Sequence, residues 1–515
     1  MRLKLLAGAL LAGFVAAPGC RAPDGGRSAA AGTDLRLSPI TLASAHLLPP
    51  ESTAQDKQPL PGPADLRPQS SALSAAPEQS VDLAGALAQA GVDNPTIALA
   101  QEAVSASQAL HLQAQALLLP TLSAGGDFNW HQGNLQGASG DTRDVIRQSA
   151  YVGAGASAVG GGTVNVPGVR LSAQLGEALF EPRATRQAIA GRQFDAQATH
   201  NRVLLEVGTA YFALVGAEAR LAAQRESEAE FGEIARLTAN HAKAGQGRDA
   251  DAQRARSELQ LLRVAGRRIE EEIAVASAEL TKLLSADPTA RLRGPGGPIP
   301  QLQLIDPDAD LETLVQTALD NRPEIAARAA DVAVVETRLR KEQVRPFVPT
   351  LSVGFSAGGF GGGGNTADTD FGHFRGRTDF DVTAFWTLQG LGLDNLALQR
   401  RMRALVGETT AERLRVIDLV RTEVADAYAL VAARRNELEV ARRRAETAQS
   451  AYQQDLRAAK TLDVLPIVLL NSATLLNAAR QDYLRALVGY NQAQLLLFVA
   501  IGQSPLCAGP DLRQP

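Results

Sequence analysis

Cysteine, methionine and tryptophan each occur only twice in 515 residues, histidine six times, and aromatics make up 4% of the chain. Two cysteines, Cys20 and Cys507, exclude a disulfide framework and a cysteine-rich zinc site. Two methionines and six scattered histidines argue against a metal-handling interior, and no metal or cofactor is expected. With so few aromatics a large three-dimensional core is short of its bulkiest fillers, although 45% of the residues are hydrophobic. That alanine-heavy content suits long helices packed through small side chains. A net charge of −4 leaves no basic surface for nucleic acid. No run of about 18 uncharged apolar residues is present, so no transmembrane helix is expected.

What is present begins with a targeting segment. Arg2 and Lys4 precede an uncharged apolar stretch, Leu5 to Ala17, too short to span a bilayer and built like a secretory signal. It ends in Ala17-Pro18-Gly19-Cys20, which resembles a bacterial lipobox, where the cysteine becomes the lipidated first residue. Ala17 stands where leucine is usual, and Pro18 is unusual there. Ordinary signal cleavage beside an incidental cysteine is the other reading. Residues 21–80, rich in Pro, Ala, Ser and Gly, read as an extended tether.

Comparison of the chain with itself is more informative. DLAGALAQAGVDNP (82–95) matches DLETLVQTALDNRP (310–323), and PTLSAGG (120–126) matches PTLSVGF (349–355). Further on, EVGTAY (206–211) matches EVADAY (423–428). The offset between copies shrinks after the second match, as a shorter Gly-rich loop in the second copy (358–378 against 131–168) predicts. A tandem duplication therefore divides the chain into a first repeat, 81–309, and a second, 310–503, before a tail at 504–515. Each repeat reads helix, strand, loop, strand, very long helix, break, helix.

Four segments alternate with a period of two: 121–130, 169–179, 350–357 and 379–388. Leu122, Ala124, Phe128 and Trp130 oppose Thr121, Ser123, Asp127 and Asn129. Phe380, Val382, Ala384 and Trp386 oppose Asp379, Asp381 and Thr383. Each segment has about the length of a tilted bilayer-crossing strand, with one face for lipid and one for water. A half-buried soluble sheet shows the same alternation taken strand by strand. Four such strands cannot close a membrane barrel, which needs about eight, and an open edge in hydrocarbon strands backbone donors and acceptors. The chain must then oligomerise: two copies give eight strands with an interior filled by side chains, and three give twelve with room for a lumen, which suits the polar inner face. Residues 184–243 and 394–459 read as nearly unbroken helices, and about 60 residues reach roughly 90 Å, far more than a bilayer core. Leu204, Val207, Tyr211, Leu214 and Leu221, repeated as Val424, Tyr428, Val431 and Leu438, form a narrow coiled-coil seam. Arg434, Arg435 and Arg442 to Arg444 read as a solvated face.

The duplicated pattern resembles the TolC-like outer-membrane efflux protein family: N-P near the start of a repeat, P-T-L-S opening a strand, repeated long helices, and a closing GYNQAQLLLFVAIG (489–502). The resemblance covers about 81–503. It implies a mixed α and β fold: a trimeric twelve-stranded transmembrane β-barrel continuous with a long periplasmic α-helical coiled-coil barrel. It also implies passive export, docked on a periplasmic adaptor (membrane fusion protein) and an inner-membrane transporter, in contact with outer-membrane lipid. Lipidated members resemble this N-terminus, with Cys20 as the acylated residue.

The helix breaks at Ala242 to Asp251 and Leu456 to Leu465 are expected to form the periplasmic tip. Family tips carry a glycine followed by an aspartate that starts the next helix; Gly245 with Asp249 fits, and the second break lacks the glycine. Candidate gating or docking residues are Gly245, Gly247, Arg248, Asp249, Asp251, Asp455, Lys460, Thr461 and Asp463, with Arg457 a further balancing charge. Asp249 and Asp463 could equally serve only as helix caps. Enzyme signals fail on context. Gly354-Phe355-Ser356-Ala357-Gly358 matches G-x-S-x-G, but a glycine run to Gly364 follows, predicting a loop instead of the required helix. Asp249-x-Asp251 and Asp379-x-Asp381 lack a full cation-ligand loop. His241 reads as solvated, and the glycines at 153–162 as an outer loop. A structural coiled-coil envelope protein and a periplasmic hydrolase resting on Ser356 are the competing functions.

Overall fold

The computed structural model describes residues 78–508, except 155, 158–164, 167–168, 246, 307, 366–368 and 461–465. The expected signal with Cys20, most of the expected tether, Thr461, Asp463 and residues 509–515 lie outside the described residues.

Two duplicated sequence motifs become two duplicated helix starts. Asp82 caps α1 (Leu83–Asp93) by accepting from Gly85 N at 3.1 Å, and Asp310 caps α5 (Leu311–Asn321) by accepting from Thr313 N at 3.2 Å. The prolines that follow, Pro95 and Pro323, occupy the first position of α2 (Pro95–Ala116) and α6 (Pro323–Val344), where a missing N–H costs nothing. The long helices are α3 (Leu175–Lys243) and α7 (Leu393–Lys460), each turning back into a shorter partner, α4 (Asp249–Leu283) and α8 (Pro466–Ala500). α3 packs on α4, α8, α6 and α2, and α7 packs on α8 and α6. Close approach of α3 and α8 rests on glycine: a Cβ at Gly216 would meet Val488 Cγ2 at 2.5 Å. The expected seam is buried, with Leu204, Val207 and Leu214 in one core and Val424, Val431 and Leu438 in another.

The halves are joined along α8. β1 (Glu78–Ser80) pairs in parallel with Arg291–Arg293, and the chain beyond is held by α8 side chains. Asn491 accepts from Leu302 N at 2.9 Å and donates to Pro300 O at 2.8 Å, while Gln494 accepts from Leu304 N and Ile305 N. These buried amides satisfy backbone groups that the irregular linker would otherwise orphan.

A single sheet carries the membrane-length segments. Its strands are β2 (Thr121–Leu122), β3 (Gly125–Gln136), β4 (Thr142–Ala154), β5 (Val169–Gln174), β7 (Thr350–Gly364) and β8 (Thr369–Phe385), with Arg291–Arg293 as β6 outside it. β8 lies on one edge of β7. β4 and β5 follow one another along the other edge, since Ala154 pairs with Ala357 and Val169 with Phe355. β3 and β2 pair in turn with β4 and β5. Four antiparallel tracks result, as the alternation predicts.

Four boundaries differ from the sequence reading. The predicted strand 379–388 starts at Thr369, within the expected loop 358–378, where register shifts up to Arg375 interrupt the period of two, and it stops at Phe385. The predicted strand 169–179 stops at Gln174, because Leu175 and Leu179 fit helical i,i+4 spacing as well as strand spacing and Glu177 suits a first turn. Within 131–168, expected as loop, the β3 and β4 hairpin occupies most of the first part. Adjacent apolar pairs such as Val145-Ile146 and Tyr151-Val152 blur its alternation. The glycines expected in that loop begin with Gly153, which lies in β4 opposite Gly358. The run Gly358 to Gly364, also expected as a loop, is strand throughout and paired on both edges. Neighbouring backbones come too close for side chains there: a Cβ would lie 2.6 Å from Gly372 O at Gly361, 2.6 Å from Asp370 O at Gly363, and 2.5 Å from Ile146 O at Gly364. Glycine marks close packing here, where sequence alone reads it as a turn.

Candidate functional site: the sheet faces and the helix tips

The sheet has two chemically opposite faces. On one, Phe128 (63% exposed), Trp130, Val152, Phe355, Phe380 (69%) and Val382 are uncovered. On the other, charged side chains cross the glycines and serines of β7. Arg170, Gly354 and Asp381 share one rung on three adjacent tracks, and Arg170 reaches Asp381 at 3.6 Å over the bare glycine. Arg170 also donates to Ser352 Oγ at 3.4 Å. Arg377 donates to Asp379 at 2.9 Å and lies over the Phe360 ring, 5.4 Å from its centre. Ser356 sits mid-strand opposite Asp379, without the strand-to-helix turn a nucleophile needs. Asp379 and Asp381 are engaged by arginines, and no metal-binding group of His, Cys, Asp or Glu occurs among the described residues.

At the first tip, α3 ends at Lys243 and Gly245 takes φ +74°, a left-handed conformation that glycine adopts freely. Gly245 N donates to Ala242 O at 3.0 Å. Gly247 passes close to His241, where a Cβ would sit 3.3 Å from Ala242 N; His241 is half-buried, not fully solvated. Arg248 is the N-cap residue of α4 and makes no side-chain cap bond. Asp249, expected as a cap, is instead the first helical residue, exposed and positioned to favour the helix dipole. Arg248 donates to Asp251 at 3.0 Å, and that guanidinium hydrogen bond holds the Asp251 carboxyl below its ordinary value. At the second tip Asp455 is half-buried near the end of α7, and Lys460 is its last residue. Thr461 and Asp463 lie outside the described residues, so the described part of this tip joins only Asp455 and Lys460. Of the face expected to be solvated, Arg434, Arg442 and Arg443 pair along the helix with Glu437, Glu446 and Glu439, whereas Arg435 reaches Asp308 and Arg444 reaches Asp482 of α8.

Sequence reading missed a clamp above the tips. Arg480 of α8 donates to Glu230 at 3.1 Å and to Glu226 at 3.2 Å on α3, and to Gln449 Oε1 of α7 at 3.0 Å. Burial pushes the Glu230 carboxyl up, only partly opposed by Arg480, and burial with Glu230 nearby pushes the Tyr452 hydroxyl up to about 12. The sole sequence signal was Glu226 and Glu230 one turn apart; their partners lie in the other half of the chain.

No protein-family model matches the chain, and no curated protein does. Solved structures do. The outer-membrane channel OprN superposes with a TM-score of 0.65 at 18% identity, over 82% of this chain and 89% of that one. A membrane protein from Pseudomonas aeruginosa gives 0.66 at 20% identity, over 82% and 92%. The chain has the TolC-like outer-membrane channel fold. The Campylobacter jejuni CmeC outer membrane channel gives 0.62 at 14% identity, over 82% and 85%. In this TolC-like fold the uncovered apolar sheet face lies at the opposite end of α3 and α7 from their last residues, Lys243 and Lys460.

Proposed function

We propose that the chain is the outer-membrane channel of a tripartite efflux or secretion system, passively conducting substrates delivered by an inner-membrane pump and a periplasmic adaptor. One observation carries this reading: a TolC-like sheet whose apolar face is uncovered and whose outer tracks, β3 with β2 and β8, each have a free edge among the described residues. Free edges are intolerable in hydrocarbon and must pair with further copies. Three copies close a twelve-stranded barrel with Arg170, Asp381, Arg377 and Asp379 on its lumen side. Exposed leucines on α2 (Leu99, Leu110, Leu112) and on α7 (Leu414, Leu419) supply apolar contacts for the same assembly.

In this reading 1–20 is a lipoprotein signal acylated at Cys20, 21–80 a tether, and 81–309 and 310–503 the two repeats before the tail at 504–515. Asp249, Asp251, Asp455 and Asp463 then ring the periplasmic entrance, with Gly245, Gly247, Arg248, Lys460 and Thr461 shaping its docking surface. A structural envelope protein would have the helices without need of the apolar sheet face. Native mass spectrometry of the full chain in mild detergent is expected to give a trimer with added acyl mass that disappears in Cys20→Ser. Planar bilayers should then show discrete conductance. A monomer that stays monomeric in lipid, or a trimer without conductance, overturns the channel reading.

A further inference from the structure

In each half a short helix stacks on the end of a long hairpin's second helix, and one side chain straps the joint. Asn94 does so in the first half, accepting from Thr96 N at 2.9 Å and donating to Leu283 O, at the end of α4, at 2.8 Å. In the second half Arg322 takes this place, donating to Val499 O near the end of α8 at 3.4 Å. A cavity of about 390 Å³ opens there, between α3 and α7, where α8 ends and α6 begins. Gly502, at φ +86°, lets the chain leave α8 against Asn321 and Arg322.

The wall is polar on one side. Asn201 is only 5% exposed, lines the cavity, and its Oδ1 has no hydrogen-bond partner. Glu324, Glu423 and Asp426 face Arg322 and Arg202. Val499 O and Glu423 accept from two sides of the largely buried Arg322 guanidinium, and its Nε lies 3.2 Å from Glu324 Oε2 as an ion pair without hydrogen-bond geometry. Left over are two buried acceptors, Asn201 Oδ1 and Glu324 Oε2, against one buried donor, Arg322 Nε, and three carboxylates against two arginines, so acceptors and negative charge are in excess. An anion is disfavoured even though α6 begins here, because Pro323 has no N–H to offer and Glu324 already occupies the first turn. The opposite wall, Leu205, Leu430, Leu496 and Val499, is apolar. A buried acceptor without a donor is costly in water's absence, and a donor on a bound molecule removes that cost.

We propose that this cavity binds a small organic monocation, an alkylammonium with a short apolar body. Its N–H groups donate to Asn201 Oδ1 and to free lone pairs of Glu423 and Glu324, and its chain lies on Leu205, Leu430 and Leu496. The site stands on the fold alone, whatever the molecule conducts. Saturation-transfer NMR on the full chain in detergent tests it, with n-butylammonium as probe and butyrate and n-butanol as controls of equal size. Butylammonium should saturate where the controls do not. Asn201→Leu, which removes the acceptor at nearly equal volume, should weaken binding at least tenfold without lowering the melting temperature. Ala427→Leu, which fills the cavity, should do likewise, and Arg443→Ala on the solvated face of α7 should leave binding unchanged. Absence of saturation (a cavity holding only water), equal binding of butyrate, or binding untouched by Asn201→Leu would each overturn the proposal.

Discussion

Glycine at position 358 shows how much a single residue decides in this sheet. It faces the Tyr151 side chain, which is fully buried, and its rung partners are Gly153 on one side and Arg377 on the other. Any β-carbon there must displace the Tyr151 ring. Gly358→Leu is expected to cost about 1–3 kcal/mol of overpacking strain and to reduce the yield of detergent-stable oligomer several-fold. Gly372→Ala, where a Cβ meets nothing within 4 Å, should be tolerated. Gel filtration of both variants from membranes reads the difference; equal loss in both would place the defect in backbone entropy. At this scale the sequence was least legible. Glycine runs predict loops through their freedom, and nothing within 358–364 announces that Asp370, Gly372 and Ile146 come from elsewhere to crowd it.

At the scale of elements the sequence was clearer, because helices declare themselves by local spacing. The apolar seam at Leu204, Val207 and Leu214 and its repeat at Val424 and Val431 marked the long helices, and their buried positions agree. What remained hidden were contacts between helices, such as the Arg480 clamp, whose partners Glu226, Glu230 and Gln449 are distant in sequence. Glu230 binds its proton more tightly in the folded chain than unfolded, since burial raises it above the ordinary 4.5. Its contribution to stability therefore falls as pH rises through that raised value. Removing Arg480 takes away the opposing positive charge and leaves Glu226 and Tyr452 facing Glu230. Arg480→Met is expected to destabilise by about 2 kcal/mol at neutral pH, less than for a fully buried pair because Glu230 keeps some water contact. The loss should shrink as the pH falls toward 4.5, where Glu230 becomes neutral. Circular dichroism melts across that range check it, and a loss independent of pH would mean that Arg480 acts through packing alone.

On the scale of the whole molecule, the proposed trimer turns every tip residue into a ring of three. Like charges a few Å apart repel by roughly a kcal/mol even at high effective dielectric, so a ring of carboxylates sets both the ease of closing and the preference for cations. The described tip separates its two aspartates. Asp251 is paired with Arg248, whereas Asp249 is exposed in the first turn of α4. Asp249 is thus the carboxylate of this turn that keeps its full field, and Asp463, in the second break, is its proposed counterpart. Asp249→Ala combined with Asp463→Ala is expected to lower cation preference or change single-channel conductance in planar bilayers while trimers still assemble. Asp251→Ala should have the smaller effect, because it frees Arg248 and shifts the local charge toward positive without removing the exposed carboxylate. Unchanged conductance and selectivity in the double variant, with trimers intact, would confine both aspartates to stabilising the first turns of their helices, and the entrance would then have to be set by the width of the helical tube.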